Sequence, residues 1–386
     1  MKVLFVATRV PWPAKDGGRV LMSATIQGLA ARGHEIHVVA PHPDAGDPAP
    51  APDRRVTLTA VAVKRSGRVG PALRSLVGGE PVTVAAHRHG QVADAVRRRI
   101  ARERFDLVHV EQVQAMSQVA PGTEHALPVV LRAQNVESDL WSRLADARTG
   151  WNLIARREAR RLGRWEAAAV ARASVTVALT AEDGERLQAM GGSRARIEIV
   201  RAPMPARLPQ APGRLAGTPA VTCFSGTWLP NRDGVEWFVR DVWPEVTASF
   251  PEGRLHLFGS NDLPAAPQVM LHPPPDDSVD LFAPGSILVV PLRIGSGVRI
   301  RILEAWARRV PVVATPTAAA GLSVRDGEGL RIASTPEQFA VAIRDLATDA
   351  RATQALIDAG EARLKRAHDP GALAKELEDV YESVRT

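Results

Sequence analysis

Short apolar runs alternate with segments of helical period along almost the whole sequence, and no other feature constrains the fold as much. "KVLFVATRV" reads as a buried strand, "GGRVLMSATIQGLAARGH" as a helix closed by Gly33, and "EIHVVAP" as the next strand. "FDLVHVEQ", "LPVVLRAQN", "ASVTVALT" and "ARIEIVRAP" continue the series. Around residues 203–218 the alternation stops in "PMPARLPQAPGRLAGTP", a Pro- and Gly-rich stretch with little to bury, which reads as a linker. It then restarts with the strand "AVTCFSGT", the helix "RDGVEWFVRDVWPEV", the strands "RLHLFG" and "SILVVPL", a helix from Val298, and "VPVVAT". A final helix, "PGALAKELEDVYESVRT", opens on a proline, which the first turn tolerates. Apolar strands joined by helices indicate parallel sheets covered on both faces. The expectation is an α/β chain of two doubly wound, Rossmann-like domains with a cleft between them. Residues 1–204 form the first domain, 205–218 the linker, 219–366 the second, and 367–386 a C-terminal helix. Such sheets bind ligands beyond the carboxyl ends of their strands.

The 386 residues exceed what one ordinary core supports, which agrees with two domains. A hydrophobic content of 45% and a charged content of 24% fit a soluble globular protein. No run approaches the roughly 20 apolar residues of a membrane span. "MKVLFVATRVPWP" lacks a small-residue cleavage site and reads as a first strand, not a signal peptide. A single cysteine, Cys223, excludes an internal disulfide and fits a reducing, cytoplasmic setting. Lys plus Arg (49) exceeds Asp plus Glu (42) by 7, which suits an anionic partner. Nucleic acid is disfavoured, because aromatics are only 4% and no recognition module is present. No metal site is expected: the ten histidines form no ligand pair at zinc spacing, and "PPPDDSVD" has no strand leading into it. "ATRVPWPAKDGG" lacks the G-x-G-x-x-G fingerprint, which counts against a dinucleotide-dependent dehydrogenase. None of the five lysines lies in a pyridoxal pocket motif, which counts against a phosphorylase.

The densest motif is "GSGVRIRILEAWARR", a glycine loop running into a helix. Gly295 and Gly297 allow close backbone approach to a ligand, Ser296 is placed to cap the helix, and the helix start forms an anion site. Gly297, Arg301 and Glu304 fall at i, i+4 and i+7 on one face, while Ile300, Leu303 and Ala307 form the packing face. A cation there suits a diphosphate, and a carboxylate one turn on can accept hydrogen bonds from two sugar hydroxyls. The alternative is an exposed i,i+3 pair of Arg301 with Glu304, worth about 0.2–0.5 kcal/mol. Arg299 points to the opposite side.

Together with "PWPAKDGGRV", "RAQNVES" and "FSGTWLPNRDGVEWF", this stretch resembles the retaining glycosyltransferases of family 4, over nearly the whole chain. The resemblance implies the GT-B fold, with the C-terminal helix returning to the first domain. It implies transfer of a sugar from a nucleotide-diphosphate donor to a hydroxyl acceptor, with retention and without a metal or other cofactor. The second domain would hold the donor and the first the acceptor. Glu304 would bind the donor ribose, with Arg299 and Arg301 meeting the diphosphate beside Gly295, Ser296, Gly297, Gly226, Thr227, Asn231 and Arg232. Two departures stand out. The earlier glutamate of the family's pair falls at Ser296, and "GTWLPNRD" lacks the Arg and Lys common after that strand, leaving Arg232 and Arg301 to carry the charge. A GT-B-shaped epimerase or a noncatalytic sugar-binding homologue is the alternative.

Further candidates lie in the first domain. Gly17 and Gly18 either close over donor phosphates and acceptor, as the resemblance implies, or relieve a tight turn. The family's sugar-contacting histidine falls at Glu111, with His109 two residues earlier on the same strand face. One would be buried and one would face substrate. Asn135 and Glu137 suit acceptor hydroxyls, although helix capping by Asn135 reads equally well. Arg156, Arg160 and Arg164, with Arg157 and Arg161 beside them and Trp151 and Trp165 flanking, make a basic helix face. It reads either as a peripheral contact with an anionic membrane or as a solvated surface.

Overall fold

The structure is a computed structural model that describes residues 1–14, 16–43, 50–64, 70, 75, 78–147, 152–226, 229–259, 266–273 and 279–385. It divides into two compact units. One comprises residues 1–14, 18–203 and 370–386, and the other essentially 204–369. Among the described residues no helix is long and apolar enough to cross a membrane.

The first unit is built on a seven-stranded parallel sheet. Its strands are β1 (Lys2–Ala7), β2 (Glu35–His42), β3 (Val56–Ala62), β4 (Leu107–Glu111), β5 (Val129–Ala133), β6 (Val175–Ala178) and β7 (Ile197–Ile199), in the order β3-β2-β1-β4-β5-β6-β7. Among the described residues its helices include α1 (Gly17–Ala31), α2 (Val82–His87), α3 (Gly90–Arg102), α4 (Glu137–Ala147), α5 (Asn152–Arg172) and α6 (Ala181–Gly191). The last five of the six residues of β1, Val3 to Ala7, are fully buried, because both faces of the strand are covered. One face packs Phe5, Met22, Ile26 and Leu29 together, and the other packs Leu4, Val96, Val108 and Leu131.

The second unit has six parallel strands: β8 (Ala220–Phe224), β9 (Arg254–Phe258), β10 (Val269–His272), β11 (Ser286–Val290), β12 (Val312–Ala314) and β13 (Arg331–Ile332). Their order is β10-β9-β8-β11-β12-β13. Its helices are α7 (Leu229–Trp237), α8 (Trp243–Ser249), α9 (Ile300–Ala307), α10 (Pro316–Ala319), α11 (Pro336–Thr348) and α12 (Ala350–Ala367), with a π-helical stretch, Phe238–Val242, joining α7 to α8. The helix read from the sequence as "RDGVEWFVRDVWPEV" is therefore three pieces, and Pro244 sits in the first turn of the last of them.

Helix α13 (Pro370–Glu382) follows and belongs to the first unit, as the sequence led us to expect. Leu373, Leu377, Val380 and Tyr381 join the cluster that holds Phe5 and Met22. Each sheet reverses its strand order at one place, between β1 and β4 in the first and between β8 and β11 in the second. Ligands of doubly wound sheets lie at such switch points, outside the carboxyl ends of the strands.

Candidate active site

At the second unit's switch point, β8 ends at Phe224 and runs into Ser225 and Gly226, while β11 leads into the loop 291–299 and α9. Gly226 is required there, since a Cβ would collide with the Phe224 ring. The guanidinium carbon of Arg301 sits 3.4 Å from the centroid of that ring, a cation–π stack that fixes the half-buried side chain at the end of β8. Burial lowers the pKa of Arg301, and the charge of Glu304 opposes the shift. Asn231 and Arg301 line the same small cavity, of about 40 Å3, with Pro291 and Leu292.

Two readings of this motif are corrected. Helix α9 starts at Ile300 with Arg299 as its N-cap and no side-chain cap, so Ser296 does not cap it. Among the described residues the buried Ser296 hydroxyl has no hydrogen-bond partner, and Gly297 beside it takes a left-handed φ of 74° before the helix begins. Nor do Arg301 and Glu304 form an exposed pair. Glu304 is 2% exposed, and its Oε1 lies 3.4 Å from Nη1 of Arg308, one turn further along. Arg308 is itself buried, donates from Nε to the Pro209 carbonyl at 3.0 Å, and lies over Phe282. The sequence reading missed Arg308, although its i,i+4 spacing from Glu304 was visible. Arg299 reaches back to the Gly297 carbonyl at 3.3 Å. Arg232, expected to stand in for missing cations, lies on an exposed face of α7, where it donates to Glu236 at 2.6 Å. Thr227 lies outside the described residues.

The first unit's switch point carries a polar network. His109 and Glu111 are both fully buried, which corrects the expectation that one of them faces substrate. Strand alternation puts the two side chains on one face but says nothing of what covers it, and α13 covers it. Tyr381 Oη lies 2.7 Å from His109 Nδ1, and His109 Nε2 lies 3.0 Å from Glu111. An ionised carboxylate only accepts, so the ring donates from Nε2 and accepts the tyrosine proton at Nδ1. Glu111 also accepts from Arg132 Nε at 3.1 Å and Gln134 Nε2 at 2.9 Å. Burial disfavours its charge, but Arg132 and His109 outweigh that and bring its pKa below the ordinary value. The His109 pKa is lowered by burial, with Glu111 opposing.

From Glu111 the network runs outward. Gln134 accepts from Gln112 Nε2 at 3.0 Å, and the Gln112 side-chain oxygen accepts from the Thr8 hydroxyl. Thr8, Gln112 and Gln134 directly follow β1, β4 and β5, and Gln112 holds a φ of 72°, a strained setting for a non-glycine residue. The sequence reading passed over all three. The available signal was a polar residue directly after each strand, in "ATR", "VEQ" and "RAQN".

Asn135 is half-buried beside them, and its side chain hydrogen-bonds Glu137. The first N–H groups of α4, from Glu137 and Ser138, donate to the carboxylate of Glu166 at 2.6 and 3.2 Å. Burial pushes the Glu166 carboxyl up to about 7, and it raises Glu137 as well. Gly17 and Gly18 open α1.

Two family models match. Residues 16–204 fit the one described as Glycosyltransferase Family 4, and residues 219–349 fit Glycosyl transferases group 1. No curated protein matches the sequence. The structure is similar to sucrose-phosphate synthase from Thermosynechococcus elongatus, with a TM-score of 0.74, 15% identity, and coverage of 99% of this chain and 98% of that one. It is similar to Anabaena HepE in complex with UDP-glucose, at 0.64, 14%, 99% and 100%. It also resembles WaaG, a glycosyltransferase involved in lipopolysaccharide biosynthesis, at 0.65, 16%, 99% and 99%.

Proposed function

Because the chain belongs to the family 4 glycosyltransferases of the GT-B type, we propose that it transfers a glycosyl group from a nucleoside-diphosphate sugar to a hydroxyl acceptor. Retention of anomeric configuration is what the family resemblance implies. The observation that carries the reading is the second unit's switch point, where Arg301 and Glu304 project from one short helix behind a glycine loop. Crystals of HepE with UDP and with UDP-glucose support a nucleotide-sugar donor.

In this reading Glu304 accepts hydrogen bonds from the donor ribose while Arg308, 3.4 Å from its Oε1, keeps it oriented. Negative charge grows on the diphosphate as the glycosyl bond breaks, and Arg301 with the N-terminus of α9 meets it. These groups supply positive charge from the protein itself, so the proposed reaction calls for no cofactor. Gly295, Ser296 and Gly297 line the sugar and phosphate approach. In the first unit Gln112, Gln134 and Asn135 take acceptor hydroxyls, and Gly17 and Gly18 leave room for the reactants. His109 and Glu111 are positioning residues that hold Gln112 and Gln134 in place. The exposed arginines of α5 contact an anionic surface.

Glu304→Gln tests the donor site and is preferable to alanine. Alanine would leave Arg308 buried without its partner, a loss of about 3–5 kcal/mol of stability. Glutamine keeps the volume and removes the charge. Hydrogen bonds to a charged group are worth about 1.5–3 kcal/mol, so nucleoside-diphosphate affinity by calorimetry should fall at least about tenfold. Unchanged affinity would refute the ribose role.

A further inference from the structure

Helix α5 turns its two acids inward and its cations outward. Glu158 and Glu166 are buried, whereas Arg156, Arg157, Arg160 and Arg164 are exposed. Arg161 is partly tied down, donating from Nη1 to Ser75 Oγ at 2.9 Å. Arg156 has a distant, exposed partner in Asp146 at 3.5 Å. Among the described residues, Arg157, Arg160 and Arg164 have no ion-pair partner. The five arginines line an open groove of about 970 Å3, together with Leu153 and with Met190 of α6. At the start of the same helix, Leu153 is 85% and Ile154 59% exposed, more than any other large apolar side chain described.

Leu153, Arg157, Arg160 and Arg164 follow at i, i+4, i+7 and i+11, so apolar tip and cations share one face. From Leu153 to Arg164 the stripe is about 16 Å long, at 1.5 Å per residue. One small anion would engage only part of such a row. A plane of many phosphates engages all of it, and it also offers an apolar layer to two adjacent aliphatic side chains that are costly to leave in water.

We infer that this face of α5 docks the protein on an anionic phospholipid bilayer, with Arg157, Arg160 and Arg164 on headgroup phosphates and Leu153 and Ile154 inserted among the acyl chains. The inference deepens the proposed contact with an anionic surface and does not involve the donor site. Docked in this way, the enzyme would meet acceptors that are themselves held in the bilayer.

The test is sedimentation of the full chain with phosphatidylglycerol–phosphatidylcholine vesicles, compared with vesicles of phosphatidylcholine alone. Binding should require the anionic lipid and weaken as salt rises. The triple variant Arg157→Ala, Arg160→Ala, Arg164→Ala should lose about 100-fold in partitioning, since each cation near an anionic leaflet contributes about fivefold. Cys223 is the only cysteine and is buried, so Leu153→Cys can be labelled selectively with an environment-sensitive dye. Its emission should shift to the blue on anionic vesicles. Equal binding to neutral vesicles, an unaffected triple variant, or a dye that stays in water would each overturn the inference. So would a groove that binds inorganic pyrophosphate while the protein ignores vesicles. Nucleoside-diphosphate binding by the same triple variant should match wild type. If that binding is missing in wild type too, the donor-site reading fails independently of the docking result.

Discussion

Arg301 is held by an aromatic ring and a helix, so its replacement separates binding from chemistry with little loss of fold. Arg301→Ala should lower kcat by more than it weakens nucleoside-diphosphate affinity, because charge on the leaving group grows toward the transition state. Parallel measurements of turnover and product affinity check this, and equal losses would make Arg301 a ground-state anchor only. That Arg301 and Glu304 sit on one helix was legible from spacing, whereas Gly297 lies in a left-handed turn before that helix begins and does not share its face. What surrounds the helix was not legible. Glu304 meets Arg308 one turn further along the helix, and Ser296 ends up short of a helix that begins only at Ile300. Likewise, alternation placed His109 and Glu111 on one face of β4, but it did not reveal that a helix from far along the chain returns to that face and sets Tyr381 on His109.

Helix α4 starts on a carboxylate supplied by another helix. Glu166 accepts two of its N–H groups from a site that burial makes hostile to charge, and its pKa rises from 4.5 to about 7. Its folded-state pKa therefore lies above the unfolded one. In that case the folded protein binds the proton more tightly, and stability falls as pH rises through this window. The contribution is full below about pH 4.5, is lost by about pH 7, and amounts to about 3 kcal/mol. Glu166→Gln should remove this slope. Denaturant unfolding of both proteins across the window checks the difference, and parallel curves would mean that Glu166 does not titrate there. Elements buried on both faces, such as β1, β4 and β8, were legible as mostly apolar runs. Strand β3 at the edge and the two-residue β13 were not, because half-exposed strands carry a weaker apolar signal. Helices α11 and α12 were also missed, although Thr335 and Asp349 mark their starts as N-caps.

At the scale of the whole molecule, two parallel sheets of seven and six strands are joined by a chain that leaves the first unit near residue 203 and returns to it at Pro370. Removing residues 370–386 should cripple the first unit and spare the second. Leu373, Leu377, Val380 and Tyr381 are all buried, and four such side chains contribute about 6–12 kcal/mol, comparable with the whole stability of a domain. Hydrogen exchange on the truncated chain should show lost protection in β1 and β4 and retained protection in β8 and β11. Uniform protection in both sheets would show that α13 is dispensable.

That return also sets an order of events on the ribosome. Domains of a nascent chain usually fold in the order in which they are made. Here the second unit is continuous in sequence, while the first waits for a helix synthesised after all of it. At roughly 5–20 residues per second, making the intervening segment takes on the order of ten to thirty seconds. During that interval the first unit shows the translating cell an uncovered apolar face, and His109 lacks its tyrosine. A chaperone that engages this chain should do so there, and a stop codon near its end would damage the domain that was encoded first.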